Sequence, residues 1–389
     1  MKQVSIRKQL WMLFVLFTVS WAVAGCESVQ DIVEDVHDDT GVPALAAGYT
    51  VYNAFTNIGA TGVLRIDQED PVDVDKKFMI GSCTKSMTAT VIGMLVEENK
   101  LTWETKLQDV FPEFCDIMNE DYLDVSVKEI LSHTAGFQRD PSSGESLILR
   151  QYGNYMSPTK SRYNALKLLL KKPSSGTKGM YFYSNIGYII AGAIAETRAG
   201  ISYEELLHLK IFTPLHMTSA GFGYPPWTLQ DYPQPYGHQL NSDGTRTVAT
   251  LLNPVESLLE WSNAVWRPAG GVKCSIGDFL KYVNWHLQGE LGNGGGWPKT
   301  MFETLHEPVV SAIDEELGPG QYALGWRVME NPIDPEAGTI IAHGGNVAGF
   351  NALMVFSPSD NTAIATFTNT NKAMDILMLT AGNIYNSIQ

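Results

Sequence analysis

Segments with the composition of β-strands lie near both ends of the chain, and helical segments separate them. Near the beginning, residues 44–52 and 61–66 are rich in small and apolar residues, which is typical of strands. Near the end, residues 350–356 and 363–368 flank a Ser-Pro-Ser-Asp-Asn turn, the pattern of a hairpin. We therefore expect one sheet that joins both ends of the chain around a helical insertion.

The helical pattern between these strands is interrupted by Pro and Gly. A short acidic helix is expected over residues 28–40, and another from Met87 to about Asn99. The aromatic, Pro-rich stretch 224–236 is expected to be a loop. From Lys372 an amphipathic helix places Met374, Leu377, Met378 and Ala381 on one face. This order predicts one α/β (α+β) domain over residues 26–389, with an α/β part at about 41–100 and 246–389 and a helical part at about 101–245.

Composition excludes several kinds of protein. The chain has 389 residues, of which 44% are hydrophobic and 18% charged, so it is neither disordered nor too short for a large core. Its formal net charge of −15, without a basic block, argues against a nucleic-acid partner. Four cysteines are too few for a small disulfide scaffold.

Residues 1–25 have the features of a signal peptide. Lys2, Arg7 and Lys8 precede an apolar stretch over residues 10–24, which is short for a membrane-spanning helix. The stretch ends at Cys26 in Val-Ala-Gly-Cys, which resembles a bacterial lipobox. We expect an exported protein, either a periplasmic or cell-surface lipoprotein anchored to the membrane through lipidated Cys26 or a simply secreted chain.

Ser82 and Lys85 are a candidate nucleophile and base. Residues 78–85 lead directly into the helix of Met87, and residues three apart on a helix share a face. Ser82 is then expected near the helix N-terminus, where unpaired amides favour developing negative charge. A desolvated lysine is able to take the serine proton. The Ser-x-x-Lys pattern occurs four times, but only at Ser82 does an apolar helix follow directly.

Two further segments carry polar residues beside predicted elements. Tyr183 and Asn185 precede a helix expected over about 186–198, where they can place a phenol and an amide beside the nucleophile. Residues 342–346 (Ala-His-Gly-Gly-Asn) are expected between two short apolar strands. Glycines there let the backbone approach a ligand, so that an amide can point at an oxyanion.

Together these segments resemble the serine β-lactamase-related family, which includes class C β-lactamases, DD-carboxypeptidases and esterases. The matching motifs are Ser82-Cys83-Thr84-Lys85, Tyr183-Ser184-Asn185 and His343-Gly344-Gly345, in the family's order. Landmarks at 130–137, 211–217 and 268–275 agree, so the resemblance covers roughly residues 40–385. It implies a β-lactamase/transpeptidase-like fold, with an antiparallel sheet flanked by helices and a mostly helical inserted region.

The resemblance also implies roles for the first two motifs. Ser82 is the implied nucleophile that forms an acyl-enzyme, and Lys85 and Tyr183 share the proton transfers. Which of these two is the general base stays open. Asn185 is implied either to hold the amide of the acyl group or to orient Lys85. His133 is expected to be structural.

The third motif departs from the class C pattern. His343 stands where those enzymes carry the lysine of Lys-Thr-Gly, and no Lys-Thr-Gly occurs in the chain. That lysine helps to bind a substrate carboxylate, whereas histidine is neutral for much of the time near pH 7. Gly345 and Asn346 are implied in substrate binding, with the backbone amides of Ser82 and Asn346 as the oxyanion hole. This departure favours esterase or peptidase activity over efficient β-lactam hydrolysis.

Other hydrolase classes lack their motifs. The chain has no Gly-x-Ser-x-Gly, no His-Glu-x-x-His and no His-x-His, and no metal or other cofactor is expected. The sequence predicts an exported serine hydrolase of esterase or amidase type, acting on a small-molecule or peptide substrate, with D-amino-acid peptidase activity as a further expectation. A β-lactamase proper and a catalytically inactive cell-surface binding protein on the same fold stay as alternatives.

Overall fold

Strands from the two ends of the chain form one antiparallel sheet. The computed structural model describes residues 27–53, 55–223, 234–249, 263–314 and 317–389. In chain order, its strands are β1 (Ala44–Val51), β2 (Phe55–Gly62), β3 (Phe78–Met79), β4 (Gly221–Phe222), β5 (His238–Leu240), β6 (Arg246–Val248), β7 (Val272–Cys274), β8 (Val310–Asp314), β9 (Gly318–Tyr322), β10 (Arg327–Glu330), β11 (Thr339–Val347), β12 (Phe350–Ser357) and β13 (Thr362–Thr368). Within the described residues, eight of them pair in the order β2-β1-β13-β12-β11-β10-β9-β8.

The centre of this sheet joins the first strand to the last. Strand β1 pairs with β13, placing Leu45 opposite Thr368 and Val51 opposite Thr362. Strands β12 and β13 form a hairpin in which Ser357 faces Thr362. The predicted sheet from both chain ends, and the predicted C-terminal hairpin, are therefore confirmed. Two smaller sheets, β3-β7-β4 and β5-β6, complete the strands described.

Helices pack on both faces of the large sheet. They are α1 (Val29–Thr40), α2 (Thr84–Glu97), α3 (Leu107–Val110), α4 (Glu120–Leu123), α5 (Val127–Leu131), α6 (Ser143–Tyr155), α7 (Pro158–Leu169), α8 (Asn185–Ala199), α9 (Tyr203–Leu207), α10 (Arg267–Gly270), α11 (Ile276–Glu290), α12 (Lys299–His306) and α13 (Met374–Ser387). Because side chains alternate along a strand, Leu45 packs in one buried cluster with α1 and α13. Ala44 and Ala46 pack in the other cluster, with α2 and α11.

The mostly helical region that was expected between the strands comprises α3 to α9. A buried charge cluster ties it to α10. The Arg162 guanidinium donates to Glu196 at 3.0 Å and to Glu204 at 2.7 Å, and Arg267 donates to Glu204 at 3.0 Å. Paired charges of this kind hold their elements in one arrangement, because removing one partner leaves the other buried and uncompensated. Helix α10 carries Ala269, which lies at the candidate site.

Two local predictions are wrong. The strand expected over residues 61–66 lies instead at β2, which ends at Gly62. The backbone turns there with φ of +92°, and a Cβ on Gly62 would lie 2.3 Å from the carbonyl oxygen of Pro43. On α13, Met374, Leu377 and Ala381 are buried as expected, but Met378 is 40% exposed. The apolar stripe on that helix is therefore narrower than the periodicity suggests.

Some predictions fall on residues outside the described part of the chain. These are the signal peptide of residues 1–25, the lipidation site Cys26 and most of the loop over 224–236. Among the helices that are described, none combines the length and hydropathy needed to cross a lipid bilayer.

Candidate active site

Ser82 lies at the tip of α2, as the sequence pattern predicts. Strand β3 ends at Met79, and a single 3₁₀ turn over Gly81–Cys83 leads into α2 at Thr84. Gly81 has φ of +51°, and a Cβ there would lie 2.8 Å from the backbone nitrogen of Asn346. Both the positive φ and the lack of space for a Cβ therefore require glycine at position 81. The turn brings Ser82 next to β11.

The ammonium of Lys85 is buried beneath Ser82. Its Nζ lies 3.0 Å from Ser82 Oγ, 2.6 Å from Asn185 Oδ1 and 2.7 Å from the carbonyl oxygen of Ala269. Burial lowers the pKa of Lys85 to about 7, although the Asp140 carboxylate acts in the opposite direction. A neutral Lys85 amine has two N–H groups for the two oxygen acceptors. Its lone pair then faces the hydroxyl of Ser82, which is the geometry of a general base.

Tyr183 approaches Ser82 from the start of α8. Burial raises the pKa of Tyr183 well above its ordinary value, although the neighbouring Ser82 side chain acts in the opposite direction. The Tyr183 ring lies 4.8 Å from Lys85 Nζ and packs against the His133 ring at 4.3 Å between centroids. Tyr183 is thus a protonated phenol near neutral pH, and it lines the same cavity as Ser82.

His133 supports the segment that carries Tyr183. It has φ of +62° and its Nδ1 accepts the backbone N–H of Ser184 at 3.0 Å. Burial lowers the pKa of His133 well below its ordinary value, so the ring is neutral. These contacts agree with a structural role, in which His133 fixes the orientation of the Tyr183 ring.

Strand β11 runs past Ser82 without a side chain at the point of closest approach. A Cβ on Gly345 would lie 2.0 Å from the carbonyl oxygen of Ile80 and 3.1 Å from the nitrogen of Ser82. Gly344 and Gly345 pair in regular register with Leu353 and Ala352. The expectation that residues 342–346 lie between two strands is therefore wrong: they belong to one continuous strand, and glycine there permits contact between the strand and the turn.

His343 carries no positive charge at neutral pH. It is buried, with Nδ1 2.6 Å from the carbonyl oxygen of Gly344 and Nε2 3.1 Å from Tyr322 Oη. Nδ1 therefore donates and Nε2 accepts from the tyrosine. Burial and the nearby Lys85 lower the pKa of His343 to about 4. Because both ring nitrogens are engaged, His343 does not replace the cationic lysine of class C enzymes.

A cavity of about 710 Å³ opens over these groups. It brings together the predicted residues Ser82, Tyr183, Asn185, His343 and Asn346, whereas Lys85 and Gly345 lie behind its wall. Gly344 of the third motif also lines the cavity. Further lining residues were not found from the sequence: Arg139, Asp140, Tyr181, Phe182, Ile313, Asp314, Leu317, Tyr322 and Arg327. No group of three or more His, Cys, Asp or Glu side chains in the described residues is arranged to hold a metal ion.

Arg327 is the missed residue with the clearest chemistry. Its side chain is 1% exposed, and Nη2 donates to the carbonyl oxygen of Gly318 at 2.7 Å. Nη1 lies 3.6 Å from an Asp314 carboxylate oxygen, and within the described residues Nε and Nη1 have no hydrogen-bond partner. The guanidinium therefore places a buried positive charge, paired with the Asp314 carboxylate, in the wall of the cavity. The sequence signal was an arginine inside the apolar run 322–328.

Comparisons with known proteins agree with this geometry. The beta-lactamase family model matches residues 29–383. An unguisins hydrolase from Aspergillus campestris is 24% identical over 77% of this chain and 53% of its own length. Penicillin-binding protein 4* of Bacillus subtilis is 23% identical over 76% of this chain and 61% of its own. The chain thus spans between half and two thirds of the length of these curated relatives.

A solved structure supports the same assignment. A class C beta-lactamase superposes with a TM-score of 0.72 at 20% identity, over 93% of this chain and 95% of that one. The expected β-lactamase/transpeptidase-like fold is therefore confirmed. Since the family model extends over nearly all of the described residues and the fold agrees with it, this chain belongs to the beta-lactamase family, a family of serine hydrolases.

Proposed function

We propose that this protein is a serine hydrolase that forms an acyl-enzyme on Ser82. The observation that carries the proposal is the position of Lys85 Nζ, 3.0 Å from Ser82 Oγ, with its other contacts taken by Asn185 Oδ1 and the Ala269 carbonyl. A lysine so desolvated that its pKa is about 7 is a suitable base for a serine hydroxyl. The exported location expected from residues 1–26 is part of the same proposal.

The first half-reaction forms the acyl-enzyme. As Ser82 Oγ bonds to the carbonyl carbon of the substrate, its proton passes to Lys85. The carbonyl oxygen becomes an oxyanion beside the backbone amides of Ser82 and Asn346. The bond to the leaving group then breaks, and that group takes the proton from Lys85 through Tyr183, whose phenol lies beside Ser82 at the cavity. Lys85 is the base in this scheme, because the pKa of Tyr183 is raised far above neutrality.

The second half-reaction releases the product by the reverse path. A water molecule loses a proton to the same Lys85–Tyr183 pair and attacks the acyl carbon. The ester bond to Ser82 breaks, and the proton returns to Oγ. This cycle is common to esters and amides, so the chemistry at Ser82 by itself does not select one of them.

The walls of the cavity favour a substrate with both apolar and anionic parts. Phe182, Ile313 and Leu317 supply apolar surface at the cavity. The Arg327 guanidinium supplies positive charge there, beside the Asp314 carboxylate. We propose esterase or amidase activity first. D-amino-acid peptidase activity is the second candidate, favoured by Arg327 because a C-terminal carboxylate matches a guanidinium. One of the relatives is named as a hydrolase of unguisins, which supports hydrolysis in general.

A β-lactamase proper is less well supported. The neutral, fully hydrogen-bonded His343 offers no cation where class C enzymes have lysine. A catalytically inactive binding protein on this fold would not need the arrangement of Lys85 around Ser82. Both alternatives are separated from the proposed function by activity measurements.

The direct test is labelling with a fluorophosphonate, which reacts covalently with activated serines. We expect the wild type to be labelled and Ser82→Ala to lose the adduct. The matched control is Ser175→Ala, since Ser175 heads another Ser-x-x-Lys pattern but lies exposed in a polar stretch. A panel of p-nitrophenyl esters, nitrocefin and D-Ala-D-Ala peptides then ranks the substrates. Equal turnover by the wild type and Ser82→Ala would contradict the proposal.

A further inference from the structure

A hydrogen-bonded chain links Lys85 to a carboxylate at the edge of the cavity. Asn185 Nδ2 donates to Asp140 Oδ1 at 2.7 Å, and Asn185 Oδ1 accepts from Lys85 Nζ at 2.6 Å. Asn185 is 7% exposed, whereas the Asp140 side chain is 48% exposed and lines the cavity. The chain therefore connects the buried amine under Ser82 with the solvent-facing side of the site.

The carboxylate determines which way the Asn185 amide points. A carboxamide has a donor end and an acceptor end, and an ionised carboxylate can only accept. Asp140 therefore holds the NH₂ group, and the oxygen is left facing Lys85 Nζ. An amide oxygen at that distance stabilises the ammonium form of lysine by accepting its hydrogen bond. Asp140 thus acts together with the Lys85 donor to keep the Asn185 oxygen directed toward Nζ.

Backbone contacts keep Asp140 and Asn185 together. The N–H of Asn185 donates to the carbonyl oxygen of Arg139 at 2.8 Å, and Ser184 Oγ donates to the carbonyl oxygen of Gln138 at 2.6 Å. The carboxylate thus sits on a segment fastened to the start of α8. These hydrogen bonds to backbone carbonyls fix the position of the Asp140 segment relative to Asn185.

Lys85 is surrounded by groups that act on its charge in opposite directions. Asp140 and the Cys83 thiol raise its pKa, whereas burial and Arg139 lower it. His133 and His343 also face it and are neutral, and two phenol rings lie close to Nζ. These rings are Tyr183 at 4.8 Å and Tyr188 at 5.6 Å. Among the groups named here, Asp140 alone carries a carboxylate.

We infer that Asp140 is a positioning residue for the hydrolase reaction: by holding the Asn185 amide, it stabilises the protonated form of Lys85 and sets the pH at which Ser82 is activated. This inference rests on the proposed function of Ser82 and Lys85. Asp140 is not a catalytic residue, because it acts through Asn185 and does not contact the reacting oxygen.

The test measures the charge state of Lys85 in two ways. The rate of fluorophosphonate labelling is followed against pH, and NMR of protein labelled with ¹³C-lysine reports the titration of Lys85, assigned by its loss in Lys85→Met. We expect both midpoints near pH 7 in the wild type. In Asp140→Asn they should move down by about one pH unit, because the charge that favours the ammonium is gone. Asp140→Glu should restore most of the shift.

The control is Asp124→Asn, which removes an exposed carboxylate paired with Lys178 and should leave both midpoints in place. An unchanged Lys85 titration in Asp140→Asn would overturn the inference, even if the labelling rate fell at every pH. If the asparagine variant folds poorly, the same two midpoints are measured in Asp140→Ser, which also removes the carboxylate. A wild type that shows the lysine titration but no labelling would instead refute the proposed function, so the two failures are distinct.

Discussion

The β-carbon that Gly345 lacks would lie 2.0 Å from the carbonyl oxygen of Ile80. Backbone atoms cannot move aside as a flexible side chain does, so any larger residue must separate β11 from the turn that carries Ser82. The contact between these two residues therefore holds the expected oxyanion donors, the amides of Ser82 and Asn346, close to each other.

Replacing Gly345 with alanine should disrupt the site more than the fold. We expect the rate of fluorophosphonate labelling in Gly345→Ala to fall by about 100-fold or more, the cost of losing an oxyanion donor. Gly277→Ala is the matched control, because its new Cβ would meet only Ile58 Cδ1 at 3.8 Å. Labelling of Gly345→Ala at the wild-type rate would show that the strand and the turn need not touch.

Removing the Tyr183 hydroxyl should reduce turnover with little effect on folding. The ring of Tyr183→Phe keeps its contact with His133, but no phenol remains to carry a proton between Ser82 and the leaving group. We expect kcat on p-nitrophenyl butyrate to fall by about 10²- to 10⁴-fold, with a nearly unchanged Tm. Tyr155→Phe, at an 85% exposed position, is the control. Near-normal turnover would mean that Tyr183 serves only in packing.

Arg327 should make the protein bind ligands with a free carboxylate more tightly than the corresponding amides. We expect a D-Ala-D-Ala peptide with a free C-terminus to inhibit p-nitrophenyl butyrate hydrolysis more strongly than its C-terminal amide. In Arg327→Gln this preference should decrease by about tenfold or more, because the positive charge that attracts a carboxylate is lost. Comparing two ligands on one protein removes any effect of the fraction folded.

Arg65→Gln, which removes an arginine paired with Asp67, should keep the wild-type preference for the free acid. If Arg327→Gln also kept it, Arg327 would have no part in recognising the ligand. The second candidate function, that of a D-amino-acid peptidase, would then lose its structural support.

Much of the site follows from local sequence patterns. Ser82 and Lys85 precede an apolar helix, and Tyr183 and Asn185 stand at the start of another, so their placement at helix ends was predictable. The sheet from both chain ends followed from the strand-like composition near the two termini. What these patterns have in common is that each depends on residues adjacent in the chain.

The missed features depend on contacts between distant segments. Strand β2 has no clear alternation of apolar residues, and Gln30 of α1 fixes it through hydrogen bonds to the backbone of Ala60. Asp140 follows the landmark segment 130–137, but its role depends on its hydrogen bond with Asn185, which lies at the start of α8. Arg327 looks like an isolated charge until β10 is placed beside β11. Single-sequence periodicity contains none of these pairings.

The junction of β1 with β13 has a consequence for biosynthesis. Ser82 and Lys85 emerge from the ribosome well before β11, the strand that lies against them, and before β13. A nascent chain would therefore expose the proposed nucleophile before the strand that completes the site has been made. Non-local pairing of this kind forms slowly. If the chain is exported unfolded, as proposed, the proposed active site would be assembled only after export.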